Sequence, residues 1–359
     1  MHRPPDHTKE NPDSLAGETG VEGIEALPSK VNRYAKAKKG ALDVCEYMAT
    51  VPKLQDMAKK VANCGDYLVF RHYFTIDKVR LHGASLCRKH LLCPLCAIRR
   101  GAKSLKAYAD RWEVLHAQKP ALKPFLITLT VKDGPDLEER FKHLYKAQKE
   151  LWQQRHRIYA SPFDGIEGAV WSYEIKRGSN SGDWHPHLHM IALAESEPQK
   201  AWLADVWHKI TGDSYIVDVK PISQEDHISG FMEVFKYALK FSDQSPADTV
   251  HAWQILANKR LLGSSGCFRG VEVPEGLLDD SEGFEGLPYV QLFYRYLSAG
   301  YSLSNRSEGV EDIKKKTPFV GPPKALSEAY IVRDLAFDRL YRHELTIRNL
   351  PLPVGYVIT

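Results

Sequence analysis

Trp184-His185-Pro186-His187-Leu188-His189-Met190-Ile191 is the stretch on which the reading of this chain turns. In an extended strand alternate side chains share a face, so His185, His187 and His189 line one side while Leu188 and Met190 turn to the other. Imidazoles repeated at this spacing are suited to holding a divalent metal. Pro186 bends the backbone between His185 and the other two, which sets His187 and His189 apart as a pair and leaves His185 to reach metal or a phosphate.

The strand has a partner written just before it. Trp171, Tyr173 and Ile175 alternate with Ser172, Glu174 and Lys176, and Arg177-Gly178-Ser179-Asn180-Ser181-Gly182-Asp183 is rich in turn formers. Strands over about 169–176 and 187–194 are therefore predicted to pair as an antiparallel hairpin. Glu174 falls on the polar face and is the first choice for a third ligand, because hard cations favour carboxylate. His185 is the alternative.

Further elements follow from periodicity. Phe125, Ile127, Leu129 and Val131 form one face of a strand, with Thr128 and Thr130 on the other, available to substrate. Asp136, with Glu139 three residues on, opens a long helix whose inward stripe is Leu137, Phe141, Leu144, Gln148, Leu151 and Trp152 and which ends near Ala160-Ser161-Pro162. The expected fold class is α+β, an antiparallel sheet with flanking helices.

About fifty residues beyond the histidines, Glu233-Val234-Phe235-Lys236-Tyr237-Ala238-Leu239-Lys240 places Glu233, Tyr237 and Lys240 on one helix face. Ile228, Phe231, Met232, Phe235, Ala238 and Leu239 form the docking stripe. A tyrosine hydroxyl ionises only near pH ~10 and becomes a useful nucleophile beside a metal, a base or a cation. A metal-binding strand plus such a helix describes phosphodiester cleavage through a covalent intermediate. Lys240 would steady the tyrosinate or the phosphate.

Cys64, Cys87, Cys93 and Cys96 form a separate group, with Cys45 and Cys267 apart. Cys93-Pro94-Leu95-Cys96 has the knuckle spacing that lets two sulfurs reach one ion, and Cys64 with Cys87 would complete a tetrahedral zinc site; His82 and His90 are competing ligands. A cytosolic chain keeps its thiols reduced, which argues against disulfides. The zinc would fold a small module that helps hold DNA.

The 359 residues carry a net charge of only +4 with 43% hydrophobic residues, and the mean hydropathy is -0.38. Such a chain has room for a buried core plus smaller modules. With no long apolar run and no signal-peptide core at its start, a cytoplasmic protein without membrane association is expected. Charge is uneven. The first thirty residues are acidic and lack apolar period, whereas Arg99, Arg100, Lys103 and Lys106 begin a basic stretch that could follow a phosphate backbone. Ala252–Leu262 reads as an amphipathic helix broken by Gly263-Ser264-Ser265-Gly266, Val271–Leu287 as an acidic, glycine-rich linker or loop, and Tyr289–Tyr296 as a strand. Lys314-Lys315-Lys316 is a basic loop and Leu326–Glu344 helical. The expected division is a disordered tail over 1–40, a cysteine-rich zinc and DNA-binding module over 41–115, a catalytic domain over 120–270, a linker over 271–287 and a C-terminal region of unassigned role over 288–359.

Taken in order, these segments resemble the HUH endonucleases, and among them the replication initiators of rolling-circle plasmids. Phe125–Val131 is similar to that family's first strand motif, His187-Leu188-His189 to its histidine-hydrophobe-histidine motif, and Glu233–Lys240 to its tyrosine motif. Leu86–Arg100, with Cys64-Gly65-Asp66-Tyr67-Leu68, resembles the cysteine-rich segment of one plasmid branch. The resemblance spans about Cys64 to Gly270. It implies a ferredoxin- or RRM-like catalytic core and Mg²⁺ or Mn²⁺ on two histidines and a third polar ligand. It implies a 5′-phosphotyrosyl intermediate on Tyr237 beside a free 3′-hydroxyl, and a Glu233 that activates water when the displaced strand is released. Single-stranded or cruciform origin DNA would be the substrate, with host helicase and polymerase as partners. Two alternatives remain open at this point: an HUH transposase or relaxase, and a zinc-dependent DNA-binding regulator without catalysis.

Overall fold

The computed structural model describes Glu18 and residues 23–154, 160–223, 227–236 and 244–310. In chain order the elements are α1 (Leu27–Ala49), α2 (Gln55–Ala62), β1 (Tyr67–Tyr73), β2 (Lys78–Ala84), α3 (Pro94–Gln118), β3 (Lys123–Thr130), α4 (Leu137–Gln154), β4 (Gly168–Arg177) and β5 (Trp184–Ala194). Then come α5 (Lys200–Thr211), β6 (Val217–Pro221), α6 (His227–Phe235), α7 (Pro246–Leu256), β7 (Leu262–Gly266), β8 (Pro288–Leu297) and β9 (Gly300–Val310). They fall into two compact units. One comprises 90–275 with Glu18; the other comprises 23–89 and 276–310.

The larger unit is built on a five-stranded antiparallel sheet in the order β6-β3-β5-β4-β7. Alternation sorts its faces as expected. Ile127, Leu129, Tyr173, Ile175, Leu188, Met190, Val217 and Val219 are buried on one face with Phe141 and Leu144 of α4, Leu203 and Trp207 of α5, and Ala252 and Leu256 of α7. Burying side chains of this size stabilises by roughly 1.5–3 kcal/mol each, so the face is fixed in register. The opposite face carries Thr128, Ser172, Glu174, His187 and His189, where α6 packs on β4 and β5 and also against α3. The entry to α4 is capped as predicted, Glu139 N–H donating to Asp136 Oδ1 at 3.0 Å.

The smaller unit holds a four-stranded antiparallel sheet, β2-β1-β8-β9, with α1 and α2 packed together. The segment 27–40, expected to be part of a disordered tail, is helical in α1. Leu27, Val31, Tyr34, Ala35 and Ala41 bury an apolar stripe there that outweighs the polar composition of the residues before it. The strand expected at 289–296 exists as β8, and its partner β1 lies more than two hundred residues earlier. That sheet binds the chain beyond 287 to the cysteine-rich segment, and α3, whose start was expected in the cysteine-rich module, falls in the unit with the five-stranded sheet.

The helix expected over 252–262 lies instead at Pro246–Leu256, capped by Ser245, whose side chain accepts from Asp248 N–H. Gly263-Ser264-Ser265-Gly266, expected only to break a helix, forms β7 against β4. Gly263 is what permits the close approach, since a Cβ there would stand 2.6 Å from the Trp171 ring. No regular element lies between Val271 and Leu287.

Candidate metal centre

The hairpin of β4 and β5 sets Glu174 directly opposite His187 and Ser172 opposite His189. Cross-strand partners bring their Cβ atoms to about 5 Å, and here the side chains converge: Glu174 Oε2 lies 3.1 Å from His187 Nε2 and 2.9 Å from His189 Nε2. Glu174 and His187 are buried, His189 half-buried. These three residues form a group that could hold a metal ion.

Burial by itself would push the Glu174 carboxyl up, but hydrogen bonds from His187 and His189 outweigh it and hold the group ionised far below the usual carboxylate range. Burial likewise disfavours the charged form of His187, and here that pushes the imidazole down. The Glu174 carboxylate opposes that effect through its hydrogen bond to His187, but burial is the larger influence on the ring.

Two observations test the fit to a cation. His187 Nδ1 is buried with no hydrogen-bond partner among the described residues. His189 Nδ1 lies 3.1 Å from Thr128 Oγ1, a hydroxyl that can donate or accept and so supports either tautomer of the ring. Two imidazoles and a carboxylate fit a divalent cation, with imidazole nitrogen favouring a transition metal over Mg²⁺.

His185 stands outside the group. Its Nδ1 is hydrogen bonded to Asp133 Oδ1, and Asp133 Oδ2 accepts from Ser181 Oγ at 2.5 Å. Of the two candidates for third ligand, Glu174 converges on the histidine pair and His185 does not. Sequence reading missed Asp133, whose tie to His185 spans 52 positions and is signalled by nothing periodic.

Helix α6 ends at Phe235; Tyr237 and Lys240 lie outside the described residues. Glu233 is half-buried and accepts from Lys236 Nζ through Oε1. Phe231, Val234 and Phe235 are the buried residues of α6, so Val234 joins the docking stripe where Met232 was expected. The Val234 carbonyl accepts from Ser172 Oγ, a buried hydroxyl on the face that carries Glu174, His187 and His189. Alternation placed Ser172 beside Glu174, but nothing local pointed to a carbonyl 62 positions away.

The residues expected to meet DNA divide. Thr128 stands behind His189, and Thr130 Oγ1 donates to the Ile216 carbonyl at 3.3 Å. Arg99 is a correction: it is fully buried and paired with Glu18 at 2.9 Å, because its place on α3 faces inward with Leu95, Ala102 and Leu105. Arg100 donates to the Pro274 carbonyl at 3.0 Å. Lys103 is half-buried, and exposed Lys106 pairs with Asp110 at 2.7 Å. Cys64, Cys87, Cys93 and Cys96 form a second group that could hold a metal ion. Cys87 N–H donates to Cys64 Sγ at 3.4 Å, and Cys93 and Cys96 stand at the start of α3, where the helix dipole favours thiolate.

A family described as "Replication protein" matches residues 78–285, more than half of the chain, and the chain belongs to it. It is thus a plasmid replication initiator, as its motif order suggested. "Protein rep" of a Bacillus species is 24% identical over 299 residues, covering 73% of this chain and 89% of that protein. "Protein rep" of Staphylococcus aureus is 29% identical over 197 residues, 51% of this chain and 82% of that protein. "Protein rep" of Lactiplantibacillus plantarum is 25% identical over 245 residues, 64% and 75% respectively. No solved structure is significantly similar. No helix among the described residues is long and apolar enough to cross a membrane.

Proposed function

We propose that this protein initiates rolling-circle replication by nicking one strand of plasmid origin DNA with Tyr237. The observation that carries the reading is the convergence of Glu174, His187 and His189 in a replication protein, with the helix leading to Tyr237 tied to the same sheet face through Ser172 and Val234.

The chemistry follows from charge. A divalent cation on Glu174, His187 and His189 would, when bound, withdraw negative charge from a phosphodiester and so lower its repulsion of a nucleophile. Tyr237 Oη attacks phosphorus, the bond to the 3′ oxygen breaks, and the proton lost by the phenol is matched by one gained at that oxygen. The products are a 5′-phosphotyrosyl bond, which conserves the energy needed for later joining, and a 3′-hydroxyl that a polymerase extends. Lys240 steadies the charge near Tyr237. Glu233 serves termination by accepting a proton from water, so that release of the displaced strand leaves no second adduct. Thr128 keeps His189 oriented, and Thr130, Lys103 and Lys106 border the path of the strand. The four thiolates suit Zn²⁺ in a closed tetrahedral site with a folding role. Host helicase and polymerase complete the reaction.

The test is to incubate the purified protein with Mn²⁺ and single-stranded DNA from its own replicon, resolve products on a denaturing gel and map any DNA-linked residue by mass spectrometry. A 5′ adduct on Tyr237 is expected. Absence of an adduct with every origin-spanning strand, from folded and metal-loaded protein, would turn the reading toward a DNA-binding regulator.

A further inference from the structure

The sheet face bearing Glu174, His187 and His189 has two unlike ends. At one, Ser172 stands opposite His189 and its hydroxyl holds the Val234 carbonyl of α6. Gly230 lets the same helix sit close to the chain after β6, since a Cβ there would stand 2.5 Å from the Ile222 side chain. Helix α6 therefore closes that end. At the other end Lys176 stands opposite His185, one alternation beyond the pair of Glu174 and His187. Two residues of strand advance ~6.8 Å, which is how far past Glu174 the lysine springs from the sheet. Lys132 carries the same face to the far side of His185, because β3 and β4 flank β5. Thr130 lies opposite His187 and Val131 is buried in the core, so alternation turns Lys132 back to the side of the histidines.

Lysines on a surface are ordinarily solvated tails; these two are set apart by place and by charge. Among the described residues neither Lys176 nor Lys132 has a hydrogen bond or an ion pair. Elsewhere on this sheet the cations are taken: Lys200 and Lys220 pair with Asp218, and Arg177 pairs with Asp248. Asp133, the acid next to Lys132, is itself occupied, holding His185 and accepting from Ser181. Burial is the main reason that His187 resists protonation, and the Lys176 charge adds to it, so the ammonium acts on that ring in space as well as in register. Lys176 is half-buried and Lys132 exposed. A partly buried ammonium with no carboxylate gives up hydration without a Coulomb partner, and an anion from outside supplies one.

We propose that Lys176, with Lys132 beyond it, binds the phosphates of nucleotides flanking the phosphodiester held at the centre of Glu174, His187 and His189. It rests on the reading of that centre as a DNA-cleaving site. An ammonium is a point charge that reads no base edge, so the two lysines would hold a strand across the centre whatever its sequence. They are positioning residues and take no part in bond making.

Binding of the full-length protein to fluorescent oligothymidylate, followed by anisotropy over a series of KCl concentrations without added divalent cation, tests this with cleavage playing no part. Each phosphate contact on a single strand contributes about 0.7 to the slope of log affinity against log salt. Lys176→Met, which keeps the length of the side chain and removes its charge, should therefore flatten the slope by about 0.7, and the double variant with Lys132→Met by about 1.4. Lys176→Arg should keep the wild-type slope, as should Lys146→Met, a change at an exposed lysine of α4 on the other side of the sheet. A Lys176→Met slope equal to that of wild type, even with weaker binding, would overturn the proposal, and so would an equal flattening by Lys146→Met. Failure of the cleavage reading shows separately, as no Tyr237 adduct on origin DNA while the slope still flattens.

Discussion

Glu174 and His187 face each other across β4 and β5, with Glu174 Oε2 3.1 Å from His187 Nε2. One is a carboxylate held ionised, the other an imidazole whose charged form burial disfavours. A buried negative charge is costly by several kcal/mol unless something compensates it. A divalent cation is the compensation the geometry provides for.

Glu174→Gln keeps the shape of the side chain and removes its charge. Mn²⁺ affinity, measured by titration of the protein already loaded at the cysteines, should fall by roughly tenfold or more. Wild-type protein should take Mn²⁺ more tightly than Mg²⁺, since imidazole ligands suit the transition metal. An unaltered Mn²⁺ dissociation constant in the variant would remove Glu174 from the ligand set.

The metal-free protein should show the same residue in its response to acid. The Glu174 pKa is lower folded than unfolded, so its contribution to stability is fully present above the ordinary value of about 4.5 and drains as pH falls below it toward the folded value. Urea midpoints of wild type should therefore decline more steeply below pH ~4.5 than those of Glu174→Gln. Parallel declines would contradict the assignment.

Ser172→Ala would leave the Val234 carbonyl, near the end of α6, without its hydroxyl donor. A lost buried partner costs ~1–3 kcal/mol. Val234 is three residues from Tyr237, so the turnover number for strand cleavage should drop while Mn²⁺ affinity and DNA binding hold. Ser172→Thr, which restores a hydroxyl, should recover part of the rate. A variant with wild-type turnover would show that this bond does not place the tyrosine segment.

Cys45 lies in α1 among buried neighbours, and burial pushes its thiol up to about 11. Since the thiolate is the reactive form, iodoacetamide at pH 8 should label Cys45 in the native protein far more slowly than in urea. Rapid native labelling, read by mass spectrometry, would mean that α1 opens readily.

Much of the five-stranded sheet was legible because its signals are local and periodic. Alternation along 169–176 and 187–194 gave the hairpin and the face bearing Glu174, His187 and His189; Asp136 and Glu139 gave the start of α4. Two-residue period is imposed by backbone geometry, so any short stretch of strand declares it. The long-range contacts had no such announcement. Pairing of β8 with β1, the use of Gly263 beside Trp171, and the burial of Arg99 against Glu18 each join residues far apart in sequence. Composition made Arg99 look like a phosphate contact, and only packing of α3 turned it inward.

The sequence by itself determined the chemistry available, two imidazoles and a carboxylate on one strand face, four cysteines at ligand spacing and a tyrosine downstream, because residue identity and alternation suffice for that. Tertiary structure decided which candidates converge. Glu174 reaches the histidine pair while His185 turns to Asp133, since hydrogen bonds to groups dozens of positions away select among side chains that the backbone period alone treats as equivalent.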